Sequence, residues 1–136
     1  MKHLLMLALL LALFASAATP PVRNAPYSEA DMLPVKTITL SPGKVASRPM
    51  ATPGLPALFL IGDDPLSRAW LQRRLPALQQ LKAVGLVVQV ASVEQLERLR
   101  AMAPGLSLYP ASADDLAQRL TLSHYPVLIT ATAIEQ

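Results

Sequence analysis

Residues 4–15 are an unbroken apolar run, preceded by Met1-Lys2-His3 and closed by Ser16-Ala17-Ala18-Thr19-Pro20-Pro21. A basic start, an apolar centre and small residues before a proline pair are the parts of a secretory signal. Ala15-Ser16-Ala17 supplies the cleavage pattern, so residues 1–17 are expected to be removed and the protein to be exported to the periplasm. The run falls short of the ~20 residues that a bilayer core requires, which argues against a retained membrane anchor.

From residue 57 onward short apolar runs alternate with helical patterns. Leu58-Phe59-Leu60-Ile61 before Gly62 suits a strand buried on both faces. Asp63-Asp64-Pro65 is a helix start, because an Asp at the N-cap accepts from free backbone N–H groups and proline is preorganised at the first helical position. The apolar stripe of that helix is Leu71, Leu75, Leu78 and Leu81 with Trp70 beside it, while Arg68, Arg73 and Arg74 lie on the wet side. Pro76 inside the stripe is expected to kink or divide the helix, and Gly85 to close the connection after it. Leu86-Val87-Val88-Gln89-Val90 reads as a second buried strand. Ser92 with Gln95 forms a capping box for a helix that turns Leu96, Leu99 and Met102 inward. A short strand over residues 106–109, a brief helix capped through Ser112 and Asp115, and a last strand over residues 125–130 complete the pattern. Leu60, Ile61, Val87, Val88, Leu128 and Ile129 are the expected sheet centre. Alternating strands and helices predict a small layered α/β fold with a mostly parallel sheet and flanking helices.

Residues 18–56 differ in texture. Eight of the 13 prolines lie between Pro20 and Pro56, each lacking an N–H and biasing its predecessor to extended geometry. Ser41-Pro42-Gly43 is a turn signal. This proline-rich arm reads as a linker, with a strap docked in extended form as the alternative. The organisation is therefore a signal (1–17), an arm (18–56) and one α/β domain (57–136).

Composition narrows the chemistry. The chain has 136 residues, 52% of them hydrophobic, which is ample for one core and excludes a disordered protein. Zero cysteine excludes disulfides, a thiol nucleophile, dithiol redox cycling and a lipidated cysteine anchor. A net charge of +3 is too small, and 4% aromatic residues too few, to suggest nucleic acid as a partner. The glycines are scattered, so there is no phosphate-cradling loop, and no G-x-S-x-G elbow exists.

Asp63-Asp64 after an apolar strand is the most suggestive local feature. It resembles the acidic pair of a response-regulator receiver, but no lysine follows Lys82 to complete that site. The simpler assignment makes one Asp the helix cap and sets the other against the positive helix N-terminus. His124 opens the last strand beside Tyr125-Pro126. If the strand ends converge, Asp63, Asp64 and His124 would form a two-carboxylate, one-imidazole group suited to a divalent metal, and a metal-dependent enzyme is the catalytic alternative.

Two long segments carry a family likeness. Residues 58–71, beginning Leu58-Phe59-Leu60-Ile61-Gly62-Asp63-Asp64-Pro65, and residues 124–136, beginning His124-Tyr125-Pro126-Val127-Leu128-Ile129, resemble an uncharacterised family of integrating-conjugative-element proteins. Val84-Gly85-Leu86-Val87-Val88 matches it as well. Members are encoded with type IV secretion machinery, so the resemblance implies other conjugation and secretion proteins as partners. More distantly, residues 114–129 are similar to the helix, loop, cis-proline and strand of thioredoxin-like proteins, including those of conjugal pilus assembly. That likeness implies a thioredoxin-like fold without its redox chemistry, since Asp63-Asp64-Pro65-Leu66 stands where Cys-x-x-C would be. It also implies that Tyr125–Pro126 is cis and that Asp63, Asp64, His124, Tyr125 and Pro126 border a binding edge for extended polypeptide. The expected function is non-catalytic binding or assembly in a secretion apparatus, without cofactor or metal. A purely structural spacer is the remaining alternative.

Overall fold

The computed structural model describes residues 28–136. The expected signal over residues 1–17, and the beginning of the arm, lie outside the described residues. A 3₁₀ turn, Glu29–Met32, leads to the short strands β1 (Ser41–Pro42) and β2 (Arg48–Pro49). Then follow β3 (Leu58–Gly62), helix α1 (Pro65–Leu81), β4 (Val84–Gln89) and helix α2 (Val93–Ala101). The chain continues through β5 (Ser107–Pro110), helix α3 (Asp114–Leu120), β6 (His124–Tyr125), β7 (Val127–Ile129) and β8 (Ala133–Glu135).

Six strands form one sheet in the order β2-β8-β7-β3-β4-β5, and β1 pairs separately with β6. Strands β3, β4 and β5 run parallel, because each is joined to the next by a helical crossover. The other three pairs, β3–β7, β7–β8 and β2–β8, are antiparallel. The mostly parallel, thioredoxin-like sheet expected from the sequence is thus corrected to a mixed sheet with mainly antiparallel pairs. The physical reason is local. A short apolar run signals burial but not direction, and the return through residues 130–132 makes β7–β8 a hairpin.

Both faces of the sheet are covered. On one, Phe59, Ile61, Val87 and Leu128 pack with Trp70, Leu71 and Leu78 of α1 and Leu96 and Leu99 of α2. On the other, Leu60, Val88, Ile129 and Ile134 pack with Ala117 of α3 and with Leu40 of the arm. The six residues expected at the sheet centre are each at most 1% exposed. Helix α1 continues through Pro76, so the proline does not divide it, and Leu81 is exposed at its end. Gly85 lies inside β4 rather than in a connection. A Cβ there would meet Leu108 Cδ2 at 2.4 Å and Phe59 Cζ at 2.5 Å. Helix α3 caps at Ala113 without a side-chain bond, so the Ser112 signature does not form; Ser112 Oγ instead bonds Asp114.

The arm is docked along its described length, which corrects the linker reading. Val35 exchanges backbone bonds with Val90 at 2.9 and 3.1 Å. Thr37, only 3% exposed, donates to the Val88 carbonyl at 2.8 Å and accepts from the Ala113 N–H at 3.0 Å. That carbonyl needs a partner because the β3–β4 register shifts from Ile61↔Val87 to Gly62↔Gln89, passing over Val88. Thr39 donates its amide and hydroxyl to Asp114 Oδ1, and these bonds hold the Asp114 carboxyl below the usual carboxylate range. Arg100 grips both oxygens of Glu29 at 2.7 and 2.8 Å, and this hydrogen bonding lowers the Glu29 pKa. The same guanidinium bonds the outward Leu108 carbonyl, blunting the β5 edge.

Candidate functional site

Asp63 and Asp64 end β3, where the chain turns into α1. Asp64 is the N-cap: its Oδ2 accepts from the Ser67 N–H at 2.9 Å, as the Asp-Asp-Pro signature predicts. Its Oδ1 is buried without a hydrogen-bond partner. Asp63 turns the other way and pairs with Arg68 at 2.8 Å. Beyond that pair opens a cleft of about 500 Å³, walled by Arg98, Leu99 and Met102.

Tyr125 and His124 are adjacent on a strand, and their side chains face opposite sides. The Tyr125 ring lies against Gly62: an added Cβ on that glycine would come within 2.6 Å of Tyr125 Cε2 and 3.0 Å of Asp64 Oδ1. Burial, with the Asp64 charge adding to it, pushes the Tyr125 phenol up to about 12. Pro126 is buried, and the Tyr125–Pro126 bond is cis.

His124 instead meets the arm. Its Nδ1 stands 3.2 Å from both the Ser41 hydroxyl and the Ser41 carbonyl. A carbonyl can only accept, so Nδ1 carries the proton and Nε2 is the free nitrogen. Gly43 passes directly over the ring, where a Cβ would meet Nδ1 at 2.6 Å. The structure therefore brings Asp63, Asp64 and Tyr125 to one side of β6 and leaves His124 on the other. Among the described residues no three His, Asp or Glu side chains gather to hold a metal ion. The Asp63/Asp64/His124 metal group is corrected accordingly: one carboxylate caps a helix, one pairs with Arg68, and the imidazole faces away.

The edge beside Pro126 is occupied. Ser41 and Pro42 pair in parallel with His124 and Tyr125. The Ser41 N–H donates to Ser123 O at 3.2 Å, and the Gly43 N–H to Tyr125 O at 3.0 Å. Gln136 closes the arrangement, its amide donating to Gly43 O at 2.8 Å and to Pro126 O at 2.9 Å. Sequence reasoning took Ser41-Pro42-Gly43 for a turn and missed Gln136 altogether. The glycine was the available signal, but its meaning depends on a ring 81 positions away. Below this edge, Lys44, Arg48, Thr121, Ser123 and His124 border a groove of about 290 Å³. No helix among the described residues is long and apolar enough to cross a membrane.

A family model described as a protein of unknown function (DUF2859) matches residues 13–134. No curated protein and no solved structure matches the chain.

Proposed function

The chain belongs to the DUF2859 family, and we propose, on grounds other than that membership, that it is an exported, non-catalytic binding component of a conjugative type IV secretion apparatus. The likeness of residues 58–71 and 124–136 to integrating-conjugative-element proteins supports the setting, and the signal pattern of residues 1–17 supports the periplasm. The observation that carries the binding role is the β1–β6 pair. There the His124–Tyr125 edge holds an extended segment, Ser41–Pro42, by backbone hydrogen bonds. Backbone pairing gives affinity with little demand on sequence, which is how sheet edges capture partner strands. A partner segment would take the place of Ser41-Pro42-Gly43, with Gln136 free to turn its amide to the newcomer. The side chains that seemed fit for catalysis have other work: Asp64 caps α1, Asp63 pairs with Arg68, and His124 supports the arm.

The absence of cysteine permits a direct test. Ser41 and His124 are register partners, so Ser41→Cys with His124→Cys should form a disulfide that locks the arm in place. Tagged protein is recovered from cells carrying a conjugative element, and co-purifying proteins are identified. Wild type and the reduced double variant should capture secretion-apparatus proteins, and the oxidised variant should not. Equal capture by both redox forms would overturn the edge as the binding site. Failure of wild type to capture any apparatus protein would overturn the assembly role.

A further inference from the structure

We propose that the groove between the arm and the α3–β6 turn is a binding site for a phosphate-class oxyanion. This site adjoins the strand-binding edge and shares His124 with it, but rests on different side chains, Lys44 and Arg48.

The groove holds about 290 Å³ and is bordered by Lys44 and Arg48 from the arm and by Thr121, Ser123 and His124 from the opposite wall. Every ionisable side chain on that border is a base. Among the described residues no Asp or Glu lines it, and Lys44 and Arg48 take part in no salt bridge. Among the described residues Arg68, Arg74, Arg100 and Arg119 have carboxylate partners, while Lys36, Arg73, Lys82 and Arg98 take part in no salt bridge either. What marks Lys44 and Arg48 is that they share one groove with His124. Residues 1–27 contain no Asp or Glu, so no acidic side chain from that segment neutralises the pair. Two cations on one short stretch facing an imidazole repel each other unless an anion lies between them.

The donors suit a phosphate better than a carboxylate. Arg48 offers a planar fork and Lys44 a point charge, while Thr121 and Ser123 add hydroxyls. A tetrahedral group with several acceptor oxygens uses such a set more fully than a flat carboxylate with two. The carbonyls at the end of α3 do not oppose this. The Leu122 N–H covers Ala117 O at 2.8 Å and the Thr121 N–H covers Gln118 O at 3.3 Å. Thr121 reaches this geometry with φ at 53°, in the left-handed region. A free phosphorylated molecule and a phospholipid headgroup present the same recognising chemistry here.

The test titrates the purified full-length protein with inorganic phosphate and pyrophosphate at fixed ionic strength, following backbone amide resonances. Saturable shifts at residues 44–48 and 121–124 are expected. Lys44→Gln combined with Arg48→Gln should weaken binding by about tenfold or more, the loss expected of two charge-assisted hydrogen bonds. Both side chains are exposed, so the variant should keep the wild-type melting temperature. Flotation with phosphatidylglycerol vesicles against phosphatidylcholine vesicles assigns the source. Charge-dependent flotation lost in the variant identifies a headgroup, and phosphate binding without flotation identifies a free ligand. Non-saturable shifts, equal shifts with succinate, or undiminished binding in the double variant would each overturn the site.

Discussion

Gly85 shows how a single atom can be decisive at the residue scale. The space its side chain would need is filled by Phe59 and Leu108. Gly85→Ala should destabilise by about 1–3 kcal/mol through overpacking, seen as a lower urea midpoint at unchanged slope. Thr37 makes the opposite point, since its hydroxyl serves two backbone groups that would otherwise be unpaired. Thr37→Val keeps the shape and strands both, so a loss of about 1–3 kcal/mol is expected, with Thr37→Ser largely restoring stability. Tyr125 gives a pH signature. Its folded pKa is raised, so its contribution is full below the unfolded value of 10.0 and is lost as pH rises through about 12. Alkaline unfolding followed by far-ultraviolet circular dichroism should therefore begin at higher pH in Tyr125→Phe. Asp64 was readable in advance, because an N-cap is written within three positions. Thr37 and Gly85 take their meaning from neighbours distant in the chain.

At the scale of elements, β3 and β4 were legible because strands buried on both faces appear as continuous apolar runs. Strand β8 was not, since only Ile134 of its three residues is fully buried and so short a segment has no period to detect. Pro76 misled in a different way. The stripe of Trp70, Leu71 and Leu78 is anchored in the core, and that packing keeps the helix continuous where intrinsic propensity would end it. The two faces of the sheet support a quantitative expectation. Val88 belongs to the core under the arm and Leu128 to the core under α1 and α2, with β3 between their strands. Val88→Ala and Leu128→Ala should each cost about 2–4 kcal/mol. With no shared partners, their effects should add to within about 0.5 kcal/mol in the double variant.

For the whole molecule, the arm determines where the folded unit begins. Leu40, Val45 and Met50 complete one core, Val35 joins the other, and β2 supplies an outer strand of the sheet. Deleting residues 28–56 should lower the melting temperature by more than about 10 °C or prevent folding, measured by circular dichroism. This was hidden in the sequence because proline density conveys extension and nothing about docking. The bonds that dock the arm on the domain run to partners such as Val88, Asp114, Tyr125 and Thr132, none of them near in sequence. The candidate site was legible in part for the same reason. Asp63, Asp64, Tyr125 and Pro126 were found through their neighbours in the chain, whereas Ser41, Gly43 and Gln136 enter only through tertiary pairing.

The pairing of Ser41 with His124 spans 83 positions, and it imposes an order of events. A chain emerging from the ribosome presents the arm long before β6, β7 and β8 exist. Until then Ser41, Gly43, Met50 and Thr52 have no acceptors, and the core beneath Leu40 is unfinished. Residues 41–52 are thus ordered only once residues 123–132 are present, later than Glu29 and Val35, whose partners are Arg100 and Val90. During that interval the arm is an unpaired, extended segment open to chaperones and proteases. Its exposure ends when β6 to β8 have formed and Gln136 fastens Gly43 to Pro126.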